Sequence, residues 1–306
     1  MKEISTLINT YSANTTHEFD LVLIQDCDEA EKQQLTENFG LPSILLEYVD
    51  DKDEPSRIEI GVDSNYVLMV FWAPMKGTSH SEPVSVIFFA QKLFVFTYSE
   101  MIFVNKTIET LRAQKHAKRM AFVLDLILPI VRKYIGRVSS LEYRANQIQG
   151  DLSIRNRMKH LDDLTLVNQD AIYLRSAIQE NSSCFEEIKS ISQDTDISFD
   201  KTCNRKLHNI QLETNQAGRM ISLISESVEQ LSNTYDRLIN NNLNDIMRFL
   251  TIWSLLLAVP PIVSGFYGMN MHLPMTGGSL AWLASLVLTI ILMLIFLIYL
   301  HNHHSV

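Results

Sequence analysis

Tyr267-Gly268-Met269-Asn270 closes a long apolar stretch that runs from Phe249 to Phe266, and a second apolar stretch follows from Leu280 to Leu300. Each stretch is long enough to cross the roughly 30 Å hydrocarbon core of a bilayer as a helix. The turn between them carries no charged side chain. An asparagine at the end of a membrane helix, beside a helix-ending glycine, is a candidate ion-handling residue. The sequence therefore predicts a membrane hairpin with an ion site at its turn.

The composition of the remaining chain is that of a soluble protein. The 306 residues carry a formal net charge of −9, and this acidic balance disfavours a nucleic-acid partner, which would need a basic surface. Residues Met1–Thr6 include an acid and no apolar segment, unlike a secretory signal, so we expect the soluble part to stay in the cytoplasm. Cys27, Cys184 and Cys203 are widely spaced and are expected to be free thiols.

Residues 1–115 are predicted to form an α/β domain. The expected elements are a strand at Leu21–Ile24, a helix capped by Asp28 and ended by Gly40, a short helix after Pro42, strands at Ser56–Val62 and Tyr66–Trp72, and a hairpin across Val84–Phe96 broken near Gln91. Valine, isoleucine and aromatic residues dominate the strand segments. The order of the strands in the sheet is not predictable from these signals.

Long helices are predicted after this domain, because no proline occurs between Pro129 and Pro260. We expect a helical region over 116–204, with breaks near Gly150 and within Ser192–Asp200. One stalk helix is expected from 205 to 267, continuing into the membrane; a hinge near Asn240–Asn242 is the alternative. Its mostly apolar seam repeats in steps of three and four: Leu207, Ile210, Thr214, Ala217, Ile221, Ile224, Val228, Leu231, Tyr235 and Leu238.

The membrane topology follows from the basic residues. Arg237 and Arg248 precede the first span, whereas the loop after it has no lysine or arginine, so the positive-inside rule places this loop outside. We predict an extracytoplasmic loop at 268–279, a second transmembrane helix at 280–300 and a cytoplasmic tail at 301–306. Both termini would then face the cytoplasm of a protein that crosses the plasma membrane twice.

One face of the first span carries small or polar residues. This stripe comprises Asn244, Met247, Thr251, Ser254, Ala258, Pro261 and Gly265, with Leu250 at its edge. Such a stripe either packs helices closely together or lines a narrow pore. A single hairpin encloses nothing, so a pore requires several copies of the chain. The residues alone leave both interpretations open.

The chain resembles the CorA metal-ion transporter family, because Tyr-Gly-Met-Asn stands at the end of the first of two C-terminal membrane segments, after a long soluble region. Gly-Met-Asn is the defining motif of that family. The resemblance covers the whole layout of the chain. It implies an α+β fold: an N-terminal cytoplasmic α/β domain, a long helical stalk and a C-terminal two-helix transmembrane hairpin. It also implies a homopentamer in the lipid bilayer with the first span innermost, which favours the pore.

The resemblance assigns ion selectivity to Gly268, Met269 and Asn270, with Tyr267 in support, and an apolar constriction to Met247 and Leu250. Mg²⁺ sheds its water reluctantly. A ring of Asn270 amide oxygens and Gly268 carbonyls would therefore accept the hydrated ion, while Gly268 permits the backbone conformation that ends the helix.

The resemblance implies passive influx of divalent cations, Mg²⁺ and also Co²⁺ or Ni²⁺, through a channel-like transporter. The outer loop lacks the acid that many members carry, and His272 there would suit a softer metal. A Zn²⁺ transporter of the same superfamily is one alternative. A membrane-anchored cytoplasmic signalling protein or enzyme is another, although the sequence has no P-loop, G-x-S-x-G or HExxH motif, and we expect no enzymatic activity and no organic cofactor.

A cytoplasmic regulatory Mg²⁺ site is implied by the family, and the acidic turn at Asp50, Asp51, Asp53 and Glu54 is its candidate in this chain. An exposed acidic turn without a metal is the competing interpretation.

Overall fold

The computed structural model describes residues 19–61, 66–114, 118–150, 157–194, 197, 199–269 and 281–303. The chain divides into two compact units, Met1–Ser232 and Asn233–Val306. The predicted elements of the N-terminal region are confirmed, and the structure adds their order in the sheet.

Five strands in the described residues form one sheet: β1 (Asp20–Gln25), β2 (Arg57–Ile60), β3 (Tyr66–Pro74), β4 (Ser81–Phe89) and β5 (Lys92–Thr97). Their order is β1-β5-β4-β3-β2. β1 runs parallel to β5, whereas the other neighbouring strands are antiparallel. The predicted break of the β4–β5 hairpin lies at Ala90, whose φ is 50°.

Two short helices cover one face of the sheet: α1 (Glu29–Phe39) and α2 (Ser43–Asp50). Asp28 caps α1 as predicted, because its carboxylate accepts from the Glu31 N–H at 2.7 Å and the Glu31 side chain accepts from the Asp28 N–H at 3.1 Å. Gly40 ends the helix with a φ of 70°. Leu35 and Leu45 pack with Phe94 into the buried cluster on this face.

Three further helices of the first unit follow the sheet: α3 (Ile102–Arg112), α4 (Arg119–Gly150) and α5 (Arg157–Asp194). The end of α4 and the end of α5 agree with the predicted breaks. α5 packs on β3 and β2. The Phe71 and Phe185 rings, with centroids 6.3 Å apart, form part of this contact. All three cysteines are free, as expected.

The last soluble helix and the first apolar span are one helix, α6 (Lys201–Tyr267). It begins four residues before the predicted start because Asp200 accepts from the Cys203 N–H at 2.7 Å and caps it. Asn240, Asn241 and Asn242 are helical, so the structure has no hinge there. The seam is buried from Leu207 to Val228 and again at Tyr235, and it is partly covered at Leu231 and Leu238.

The second apolar stretch forms α7 (Ala281–His303). By length and composition, α6 is a candidate membrane span, whereas the described apolar part of α7, Ser285–Tyr299, is shorter than a full span. The first membrane crossing is thus supported by the structure, and the second stays a prediction.

Candidate functional site

The predicted stripe is exposed along its whole length. Met247 is 60% and Leu250 58% exposed. The other members, Asn244, Thr251, Ser254, Ala258, Pro261 and Gly265, are exposed as well. Steps of three and four along a helix of 3.6 residues per turn place them on one face. This face ends beside Gly268, which follows Tyr267, the last residue of the helix.

The opposite face of the same helix is covered. Leu256 is 5% and Val263 7% exposed, and Ile252, Val259 and Tyr267 are partly covered. At 100° per residue these positions lie roughly opposite the stripe. α7 also has one partly covered line, formed by Ser285, Thr289, Met293 and Phe296. The small and polar face of α6 therefore points away from the covered side of its own unit.

Polar groups along the stripe are partly bonded within the helix. The Thr251 hydroxyl donates to the Met247 carbonyl at 2.8 Å, which leaves its oxygen lone pairs for other donors. Pro260 and Pro261 lie inside the helix and supply no N–H to the carbonyls of Leu256 and Leu257. Leu257 is on the exposed side, where its carbonyl can accept a hydrogen bond from water, whereas Leu256 is on the covered side.

The helix end at the motif has no left-handed residue in the described chain. Gly268 has no positive φ. Its N–H donates to the Ser264 carbonyl at 2.9 Å, so the chain is still helical there. A Cβ on Gly268 would lie 3.2 Å from that carbonyl oxygen, a close contact that glycine avoids.

Only part of the motif lies in the described chain. Met269 is 54% exposed and its N–H bonds the Phe266 carbonyl at 3.4 Å. Asn270 and residues 271–280, including His272, lie outside the described residues. The structure therefore places Gly268 and Met269 at the end of the stripe, and the position of the Asn270 side chain stays a prediction.

The acidic turn divides into paired and unpaired carboxylates. Asp50 forms an ion pair with Lys32 at 3.0 Å. Glu54 is 5% exposed and pairs with Arg57 at 2.9 Å; burial raises the pKa of the Glu54 carboxyl, and the Arg57 charge offsets this only in part. Asp51 accepts from the Asp53 N–H at 2.9 Å, an Asx turn.

No group of three metal-ligating side chains occurs within the described ranges. A metal at the acidic turn would therefore need a ligand from outside the described part of this protomer. The predicted regulatory role of the turn stays a prediction.

The sequence profile of a family described as CorA-like Mg²⁺ transporter protein matches residues 19–302. The cobalt/magnesium transport protein CorA of Methanocaldococcus jannaschii is 22% identical over 277 residues, which cover 88% of this chain and 86% of that protein.

Solved structures share the fold. The complete CorA magnesium transporter of Methanocaldococcus jannaschii superposes with a TM-score of 0.77 at 18% identity, over 94% of this chain and 91% of that chain. The full-length CmaX protein gives 0.72 at 13% identity, over 92% and 88%. The ZntB cytoplasmic domain of Vibrio parahaemolyticus gives 0.58 at 11% identity, over 77% and 93%. Because the family profile spans most of the sequence, as the motif and the layout predicted, this chain belongs to the CorA family of metal-ion transporters.

Proposed function

We propose that this protein is a channel-like transporter through which divalent cations, Mg²⁺ first among them, enter the cytoplasm passively along the central axis of a homopentamer. The observation that carries the proposal is the orientation of the stripe from Asn244 to Gly265, which is exposed and lies opposite the covered face of α6. Copies arranged with their covered faces outward would present this stripe to one another across a central axis.

The exposed apolar residues on α6 support an assembly inside a bilayer. Phe249, Leu257 and Ile262 are 63%, 63% and 68% exposed. Contiguous exposed apolar surface of this kind marks an interaction with lipid or with other chains. Both are expected for a pore that several subunits build in a membrane. We place the soluble unit in the cytoplasm, because Arg237 and Arg248 precede the span.

Ion entry would take place at the motif. A hydrated Mg²⁺ keeps its water shell, so the mouth needs acceptors for water protons rather than direct ligands. The Asn270 amide oxygen and the Gly268 carbonyl would supply them in a ring. Met269 would pack against neighbouring subunits, and Tyr267 would buttress the ring from the partly covered side of the helix.

Gating would take place lower in the stripe. Met247 and Leu250 are the large apolar side chains of the exposed face, and in a ring they would form a narrow apolar constriction. Such a constriction stops conduction by losing its water. One turn nearer the mouth, the hydroxyl groups of Thr251 and Ser254 would keep the adjoining segment of the pore hydrated.

Flux of Mg²⁺ into liposomes that contain a fluorescent indicator tests the proposal. Asn270→Ala should abolish uptake, whereas Asn242→Ala should leave it unchanged, because Asn242 is exposed and lies about 160° around α6 from Asn244 in the stripe. Ser254→Leu should lower uptake at least about tenfold by filling the axis, whereas Phe249→Leu, an exposed apolar position on the side of α6 away from the stripe, should not. Normal uptake by Asn270→Ala, or a strictly monomeric protein in native lipid, would refute the proposed pore.

Zn²⁺ transport is the second candidate. It is favoured by the fold shared with the ZntB cytoplasmic domain and by the outer turn from Met271 to Ser279, which contains His272 and no carboxylate. Competition among Mg²⁺, Zn²⁺, Co²⁺ and Ni²⁺ in the same flux assay separates the two. If no dication crosses the membrane, the anchored signalling protein or enzyme becomes the better interpretation.

A further inference from the structure

A cavity in the first unit shares no residue with the stripe of α6. It has a volume of about 510 Å³ and lies between α5, the adjoining ends of β3 and β4, and the turn that follows α2. Three carboxylates line it: Asp53 from the turn, Glu82 from β4 and Glu180 from α5. Trp72 and Tyr173 contribute aromatic rings.

The carboxylates of this cavity lack cationic partners. In the described residues, no lysine, arginine or histidine forms an ion pair with Asp53, Glu82 or Glu180. One oxygen of Glu82 is shielded from solvent and accepts no hydrogen bond. Glu180 accepts only long bonds, from the Ser176 hydroxyl at 3.4 Å and the Ser56 N–H at 3.5 Å. Glu82 and Glu180 are half-buried, whereas Asp53 is exposed; half-buried carboxylates in this state favour a cationic ligand.

Lys52 also lines the cavity, but its ammonium lies over the Tyr98 ring, 4.8 Å from the centroid. Burial and, next, the negative charge of Glu82 raise the pKa of Tyr98 to about 12. Three carboxylates thus stand against one lysine on the cavity wall. The cavity keeps an excess of negative charge.

The aromatic walls suit a cation as well. The Tyr173 ring packs on the His80 imidazole with centroids 4.4 Å apart, which holds both rings in place. The Trp72 indole is partly buried, and its N–H is shielded from solvent without an acceptor. Faces of tryptophan and tyrosine attract ammonium groups and also cover methylene chains.

These side chains do not form a compact metal-binding group in the described chain. No three histidine, cysteine or acidic side chains of the described chain come together as a metal-binding group, and Asp53, Glu82 and Glu180 belong to that chain. Their charges are spread around the cavity. An extended ligand with several separated positive charges meets all of them, whereas a single ion does not.

We propose that this cavity binds a linear organic cation with two or more ammonium groups joined by methylene chains, that is, a small polyamine. Its ammonium groups would lie at Glu82, Glu180 and Asp53, and its methylenes against Trp72 and Tyr173. The proposal is independent of metal transport.

Spermidine titration of the full-length protein in zwitterionic nanodiscs tests this site. The chain has 3 tryptophans, so Trp253→Phe with Trp282→Phe leaves Trp72 as the fluorescent reporter. We expect saturable binding with a change in Trp72 emission. Glu82→Gln should weaken binding at least about tenfold, as should Tyr173→Leu, whereas Glu186→Gln, an exposed acid on the same helix, should change it less than about twofold.

Butylamine, with one ammonium group, should bind at least about tenfold more weakly than spermidine. Equal binding of the two amines would overturn the proposal, as would equal weakening by Glu82→Gln and Glu186→Gln. Displacement of spermidine by equimolar Mg²⁺ would also overturn it, since the site would then prefer a metal ion. Calorimetric binding without any response of Trp72 would place the amine elsewhere.

Discussion

Asn181 on α5 supplies hydrogen bonds to β3 at a position that β2 does not reach. β2 begins at Arg57, which pairs with Val70, so Trp72 on β3 lies beyond the paired part of β2. The Asn181 amide fills this place: its oxygen accepts from the Trp72 N–H at 2.7 Å and its nitrogen donates to the Trp72 carbonyl at 2.9 Å. The same oxygen accepts from the Ser56 hydroxyl at 3.0 Å. Asn181 is 1% exposed, so water does not substitute.

Asn181→Leu should therefore strongly destabilise the first unit. It removes these bonds and leaves the Trp72 N–H and carbonyl without partners beside a side chain of similar size. At about 1 kcal/mol for each hydrogen bond, with a further desolvation cost for the stranded groups, we expect a loss of about 3–5 kcal/mol in the free energy of unfolding. For a unit of this size that lowers the melting temperature by about 10 °C.

Thermal unfolding of the full-length protein in detergent, followed by Trp72 fluorescence in the Trp253→Phe and Trp282→Phe background, measures this effect. Asn168→Leu is the matched control, because Asn168 is exposed on the same helix, and its melting temperature should shift by less than about 2 °C. If Asn181→Leu melts within about 2 °C of the parent protein, the amide does not hold α5 on the sheet as inferred.

Three further outcomes are expected. Gly268→Ala should lower metal flux several-fold without dissociating the assembly, because its Cβ would press on the Ser264 carbonyl at 3.2 Å; unchanged flux would contradict the close approach. Gly136→Ala in α4, where a Cβ meets nothing within 4 Å, should raise the free energy of unfolding by about 0.5–1 kcal/mol, measured by urea denaturation. Glu54 has a pKa raised above 4.5 by burial, so it binds protons more tightly when folded, and its favourable contribution is lost as pH rises through the folded pKa. Glu54→Gln should therefore gain stability relative to wild type in urea titrations as pH increases above 4.5, and a constant difference would refute this.

Local signals in the sequence determined most individual elements. Asp28 and Gly40 marked both ends of α1 because a cap depends on side chains within a few residues. The seam from Leu207 to Val228 marked the buried face of α6, since a helix must bury its apolar repeat. The motif at Tyr267–Asn270 and the stripe before it were likewise readable, because both lie within one helix and its end.

Contacts between distant residues were decided by the tertiary structure alone. The strand order and the parallel pairing of β1 with β5 depend on contacts between apolar faces that are far apart in the sequence. No local sequence pattern encodes those contacts. Gly268 was expected to permit the backbone conformation that ends the helix, and only the structure shows that its φ is not positive and that a Cβ there would lie 3.2 Å from the Ser264 carbonyl oxygen. The candidate amine site exists only in the folded chain, because its cavity lies between separate elements that contribute Asp53, Glu82 and Glu180.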